Sequence, residues 1–259
     1  MHNYSGKEKL SNLTFATPSG KKMGDNDGPA YCVYSNVGYN KAEFTFEMPL
    51  ASFGGVADNG TKVNGYLFLG VDVHDGTPDG MNCCDAGFVT EADGRGWHLF
   101  INTLHSSKGA SGEWKSNTPT LDPTHIYKLI LDTSTLDETA VLTAYDLTDD
   151  KVADSITFRL WGAKKDGTNT SFLTNAAIDW TVRPESDFIG KTNANVHQNL
   201  YLTNLKIYGI NLYKDDKKYS FDTDHRAIWP DKNMPVAHEC VKVHHITKDD
   251  EYVIDIDMR

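Results

Sequence analysis

The chain has 259 residues, 39% of them hydrophobic and 11% aromatic, with 21 glycines; this is enough apolar material for a sizeable core, in a composition that fits a loop-rich β protein rather than a helical or disordered one. The 36 acidic residues against 25 basic ones leave a formal net charge of −11 with no local Lys/Arg cluster, so nucleic acid and anionic membrane surfaces are poor partners. No apolar run approaches the roughly 18 residues of a membrane span, and the opening MHNYSGKEKL lacks a signal-peptide core, so a secreted form implies a leader removed or replaced.

In chain order, AYCVYS (30–35) and KAEFTFEMPL (41–50) are the first strand-like segments. In the second, Ala42, Phe44, Phe46 and Met48 alternate with Lys41, Glu43, Thr45 and Glu47, the period-2 pattern of one buried and one wet face. NGYLFLGVDVH (64–74), DAGFVTEA (85–92) and GWHLFINTL (96–104) follow, rich in the aromatic and β-branched residues that a pleated, half-buried surface selects. HIYKLILDTS (125–134) is apolar on nearly both sides, as expected for a central strand covered twice. ETAVLTAYDLT (138–148), DSITFRLWGA (154–163), AIDWTVRP (177–184) and YLTNLKIYGINLY (201–213) complete a set of ten, and the tail 239–258 reads as a further hairpin turning at Lys248 to Asp250. Short connections carrying Asp, Gly and Asn between so many strands predict an all-β fold, a two-sheet antiparallel β-sandwich of the jelly-roll kind, as a single domain over 1–259 with no internal repeat.

Between the third and fourth segments, HDGTPDGMNCCD reads as a loop, and together with Asp72 just before it this stretch concentrates chemistry. Asp72, Asp75 and Asp79 offer hard oxygen ligands, with Gly76 and Gly80 permitting sharp turns; that is the inventory of a calcium site, although not EF-hand spacing, and a solvated acidic loop pinned by a cysteine is the alternative. Cys32, Cys83, Cys84 and Cys240 fit no zinc pattern. A vicinal Cys83 to Cys84 bridge is strained, so in an oxidised form Cys32 or Cys240 pairs with one of the two, and buried thiols are the alternative. His238, Cys240 and His244 share a strand face by alternation but lack a fourth ligand.

The succession HIYKLILDTS, ETAVLTAYDLT, SFLTNAAIDW and NLYLTNLKIYGINLY resembles the second half of the concanavalin A-like lectin/glucanase jelly roll, in which an xLTAYD-like return precedes a late strand carrying L-x-x-I-x-I. The resemblance covers residues 30–213 and lies in strand patterns rather than in chemical signatures. It implies carbohydrate as the ligand class, since members include lectins, β-glucanases, polysaccharide lyases and non-catalytic carbohydrate-binding modules.

The E-x-D-x-x-E-like carboxylate strand of the fold's retaining glycosidases is absent; the nearest string, VIDIDM, has Val253 where the nucleophile would stand before Asp255 and Asp257. His197, Gln198 and Tyr201 would supply a lyase with a base and an amide, but an Arg-rich strand is missing, as are a GxSxG elbow and a P-loop. Sugar sites pair a flat aromatic ring with amide, carboxylate and hydroxyl groups. Trp114, in the polar stretch HSSKGASGEWKSNTP, has little core to join and leads the candidates. His98 and Asn102 share a strand face, and Trp161 and Asp85 complete the expected carbohydrate-binding set, with Trp97 and Trp180 read as core.

These features predict a secreted or cell-surface, non-catalytic module that binds a polysaccharide or oligosaccharide, joined to other modules of a larger protein, in a cleft without paired carboxylates. A glycan-active enzyme of the same fold, hydrolase or lyase, is the alternative, followed by an adhesive surface domain with an exposed apolar patch.

Overall fold

A computed structural model describes residues 30–52, 63–74, 81–90, 96–105, 112–180, 201–229, 241–245 and 251–257, and every regular element among them is a β-strand. In chain order these are β1 (Ala30–Ser35), β2 (Lys41–Glu47), β3 (Leu50–Ser52), β4 (Val63–His74), β5 (Met81–Thr90), β6 (Trp97–His105), β7 (Trp114–Ser116) and β8 (Ile126–Asp132). β9 (Thr139–Asp146), β10 (Lys151–Arg159), β11 (Thr170–Trp180), β12 (Tyr201–Lys214), β13 (Lys217–Ser220), β14 (Thr223–Trp229), β15 (Val241–His245) and β16 (Tyr252–Asp257) follow. A seven-stranded sheet runs β14-β1-β11-β4-β5-β6-β7, and a nine-stranded sheet runs β10-β9-β8-β2-β12-β16-β15 with β13 and β3 also paired to β12. All pairs are antiparallel. Among the described residues no helix is long and apolar enough to cross a membrane.

The sheets face each other across one apolar core, to which alternate residues of both contribute: Val33, Leu67, Leu69, Phe88 and Leu99 from one, Phe44, Phe46, Leu129, Ile207 and Ile254 from the other. Phe46 meets Phe88 across the gap at 4.9 Å between ring centroids and stacks on Tyr127 at 6.0 Å. Such rings bury enough surface that truncation of one to alanine costs about 3–5 kcal/mol. At the β14 edge the buried Arg226 donates to the Tyr252 hydroxyl at 2.8 Å, a polar tie between the sheets.

Ala42, Phe44 and Phe46 face the core as their alternation requires, and Trp97 is a core residue. The C-terminal strands β15 and β16 form the expected pair, with the turn between them outside the described residues. Four expectations need correcting. β8 is covered on one side only: Tyr127, Leu129 and Leu131 are buried while Ile126, Lys128 and Ile130 are half-buried, because the nine-stranded sheet turns its other face outward. The expected loop HDGTPDGMNCCD is strand in its second part: β4 ends at His74 as expected, but β5 already begins at Met81. Its polar residues concealed an alternation in which Cys84, Ala86 and Phe88 enter the core. The short β7 and β13 and the seven-residue β14 stand where no strand was expected, and β11 begins seven residues before the predicted segment at 177. Finally, Cys32 on β1 and Cys83 or Cys84 on β5 lie three strands apart in the sheet order, roughly 14 Å at about 4.8 Å per spacing, too far for a disulfide. Cys83 and Cys84 point to opposite faces, and burial pushes both thiols well above the ordinary range. Cys240 lies outside the described residues.

Candidate functional site

The seven-stranded sheet has a second apolar cluster on the face turned away from the core, built from Ala30, Cys32, Tyr34, Tyr66, Phe68, Val89, Phe100, Leu173 and Ala177. Period-2 alternation puts them there: on β4, Leu67, Leu69 and Val71 go in while Tyr66, Phe68, Gly70 and Asp72 go out. The rings touch in sequence. Tyr66 meets Phe68 at 5.0 Å and Phe100 at 5.3 Å, Phe68 meets Phe100 at 5.4 Å, and Trp114 stacks on Phe100 at 5.2 Å with an interplanar angle of 28°. Gly87 makes this possible. It lies between Phe68 and Phe100 in the register, its φ is +147°, and a Cβ there would collide with the Leu67 carbonyl oxygen. Only a residue without a side chain lets the two strands approach and the two rings close over it.

One row farther along the strands, the composition changes from apolar to polar. The pairings Tyr34↔Leu173, Leu173↔Gly70, Asp85↔Asn102 and Asn102↔Trp114 run straight across the sheet, and the register on either side (Phe68↔Gly87 and Val71↔Cys84) sets Gly70 opposite Asp85. Leu173 fills the place beside Gly70, with its Cγ 3.0 Å from where a Cβ would be. In the next row Asp72 lies between Ser171 and Cys83, diagonal to Asp85 on the same face. His74, one step beyond, has its Nε2 2.8 Å from Ser171 Oγ.

Exposure falls along this path from the sheet edge inward. Trp114 on the edge strand is 45% exposed, Asn102 and Asp85 are half-buried, and Asp72 is only 8% exposed. Asp72 has no hydrogen-bond or ion-pair partner among the described residues. Burial first, and the charge of Asp85 second, push its carboxyl up to about 7. Low dielectric disfavours the charged form and a like charge adds to that, so a substantial share of Asp72 carries its proton near neutral pH. No Lys or Arg stands among the described outward-facing residues of this sheet.

The structure thus brings together four residues singled out in the sequence, Trp114, Asn102, Asp85 and Asp72. His98 shares the face but sits two rows away beside Val89, 1% exposed, with Nδ1 3.0 Å from the Gly96 carbonyl oxygen, so it is a packed side chain there. Trp161 stands apart, in the connection between β10 and β11, and the Arg159 guanidinium covers its ring at 3.1 Å. Asp75, Asp79, His197, Gln198, His238 and Cys240 lie outside the described residues, as do the side chains of Trp180 and Trp229. His244 is taken by Asp255 at 3.1 Å. Sequence reasoning missed Ser171, Tyr34 and Leu173 because strand pairing supplies them from distant segments; the visible signal was the pair Gly70 and Gly87 inside otherwise apolar strands, a mark of close approach.

A group of metal-ligating type, His125, Asp146 and Asp149, occurs at the β8 to β9 end, its ligand atoms within 4.8 Å of one another. It is a side-chain pair holding a turn: His125 Nδ1 lies 2.7 Å from Asp146 Oδ2, and Asp146 Oδ1 accepts the backbone N–H groups of Thr148 at 2.9 Å and Asp149 at 3.1 Å.

No protein-family model matches the chain, and no curated protein matches it. Among solved structures it is similar to scytalido-glutamic peptidase with a transition state analog inhibitor, at 13% identity over 88% of this chain and 97% of that one, with a TM-score of 0.47. A second is SCP-B, a member of the eqolisin family of peptidases in complex with the tripeptide Ala-Ile-His, at 14% identity over 88% and 96% and a TM-score of 0.47. A third is the Caenorhabditis elegans galectin LEC-6, at 9% identity over 61% and 87% and a TM-score of 0.28. No residue role is carried over from any of them.

Proposed function

We propose that the protein binds a neutral polysaccharide or oligosaccharide on the outward face of the seven-stranded sheet, along the edge from β5 to β7, as a secreted or cell-surface glycan-binding domain. The observation that carries this reading is Trp114: its ring is held nearly parallel on Phe100 and still 45% exposed, a fixed flat surface offered to a ligand at the sheet edge. The apolar face of a pyranose seeks such a surface, and Asn102 and Asp85, next in the row, supply a donor and acceptors for its hydroxyls. A neutral glycan fits better than an anionic one, because the Asp72 and Asp85 side chains on this face would repel a uronate.

Isothermal titration calorimetry and affinity electrophoresis with soluble β-glucan, xylan and mannan test this. Binding of at least one is expected, and Trp114→Ala should weaken it about tenfold, or ~1.4 kcal/mol, with an unchanged melting temperature. Unaltered affinity in the variant, or no binding of any neutral glycan, sinks the proposal.

A further inference from the structure

We infer that the site takes the end of a glycan chain rather than its interior, with a terminal pyranose at Asp85 and Asn102 and the rest of the chain leaving over Trp114 past the β7 edge. The inference rests on the glycan reading of the same face and names the part of the glycan that is read. Solvent reaches this face along a path that stops. Trp114 on β7 is 45% exposed, and Asn102 and Leu104 on β6 are half-buried. On β5 Asp85 is half-buried, whereas its same-face neighbours Cys83, Gly87 and Val89 are buried. On β4 every residue from 64 to 72 is buried. The closed end has a visible cause. Straight across from Asp85 the row reaches Gly70, and Leu173 lies over that glycine with its Cγ 3.0 Å and its Cδ2 3.2 Å from where a Cβ would stand. Leu173 is itself 5% exposed and Tyr34, next in the row, 4%.

A pyranose inside a chain has a neighbour on each side and needs two exits. At Asp85 there is one, back over β6 and β7, because Leu173 closes the row and the buried Cys83 and Gly87 close the strand in both directions. The open part of the row spans two strand spacings, about 10 Å, which holds an end of disaccharide size. The polar groups at the closed end suit a terminal unit. Such a unit keeps a hydroxyl that an internal unit gives up to its linkage, and the Asp85 carboxyl accepts from it while the Asn102 amide both donates and accepts. A half-buried site arranged to bond a hydroxyl discriminates against a ligand that lacks it, because its own polar groups are then left unpaired. The Trp114 ring, stacked on Phe100 at 28°, supports the unit behind the terminal one. Both ends of a glycan carry an additional free hydroxyl, on the ring at the non-reducing end and on the anomeric carbon at the reducing end.

The test uses the whole chain and calorimetry with soluble β-glucan, xylan and mannan and with their mono-, di- and hexasaccharides. Each hexasaccharide is also prepared with its reducing end reduced to the alditol, or with its non-reducing unit methylated. Expected is a Kd that falls from mono- to disaccharide and then changes less than about threefold up to the hexasaccharide, with one protein bound per polymer chain. One of the two end modifications should weaken binding at least about tenfold, and it identifies the end that is read. Affinity that keeps rising to the hexasaccharide, several proteins per polymer chain, or indifference to both modifications overturns the chain-end inference and leaves the binding proposal standing. An absence of binding to every glycan overturns both readings. Asp85→Ala, its fold checked by circular dichroism and thermal melting, locates the end: native and modified hexasaccharides should bind this variant alike, and discrimination of about tenfold retained in it overturns the placement at Asp85. If Asp85→Ala melts out, Asn102→Ala replaces it and is read the same way.

Discussion

The two sheets treat their outward carboxylates in opposite ways. On the nine-stranded sheet Glu47 takes Lys206 at 2.9 Å, Asp255 takes His244 at 3.1 Å, and the buried Glu43 receives the Tyr213 hydroxyl at 2.7 Å with Lys128 at 3.9 Å and Lys218 at 3.8 Å. On the seven-stranded sheet Asp72 has Ser171 and Cys83 as register neighbours and the like charge of Asp85 nearby. The first face is a solvated surface whose charges answer one another. The second places aromatic rings beside two acidic side chains, one of them nearly buried, and burying a carboxyl there carries a desolvation cost.

The largest effect expected in a test of this contrast comes from Gly87. Gly87→Val should cost about 4 kcal/mol or more in denaturant unfolding, since both its φ and the Leu67 carbonyl exclude a side chain. A loss below about 1 kcal/mol would show that the strands can part and that the ring ladder is not fixed by this glycine. Next comes the proton linkage of Asp72. Its folded pKa of about 7 exceeds the ordinary value of 3.8, so between those values the folded state binds the proton that the unfolded state has lost. Its stabilising contribution is therefore fully present below about pH 4 and is lost as pH rises to about 7, on the order of 4 kcal/mol. Asp72→Asn should flatten that fall in a series of melts from pH 4 to 8, and an identical slope in the variant would place Asp72 in a more solvated setting. Trp114→Ala, at about 1.4 kcal/mol in glycan affinity, ranks third. The smallest effect belongs to the other sheet: Lys206→Ala removes an exposed pair and should leave both the melting temperature and glycan binding essentially unchanged. A binding loss there would move the ligand to the opposite face.

Much of this fold could be read from alternation alone. Residues 41–47 and 64–74 show it plainly because one face goes to the core while the other carries Lys, Glu or rings. The start of β5 was hidden because Asn82, Cys83, Cys84 and Asp85 suggest a loop by type, although every second one points inward. WKS and KKYS are too short and too polar to announce strands. At the site, Trp114, Asn102 and Asp85 were visible as residue types in suggestive places. Their alignment was not, because the row joins residues from 34, 70, 85, 102, 114 and 173 through pairings that no local pattern encodes. Asp72 was legible as part of a strand but its setting was not, for the same reason: acidic residues follow it along the chain, while its neighbours in space are a serine and a cysteine.

The row from Asp85 through Asn102 to Trp114 is also a ruler. Two strand spacings, about 10 Å, separate its ends, and backbone hydrogen bonds rather than side-chain packing set that length. Substitutions along the row can therefore retune which sugar is recognised while the distance between platform and carboxyl stays constant. Lengthening the scale means inserting another strand, so ligand preference on this face can drift freely while the span of ligand it measures is inherited unchanged.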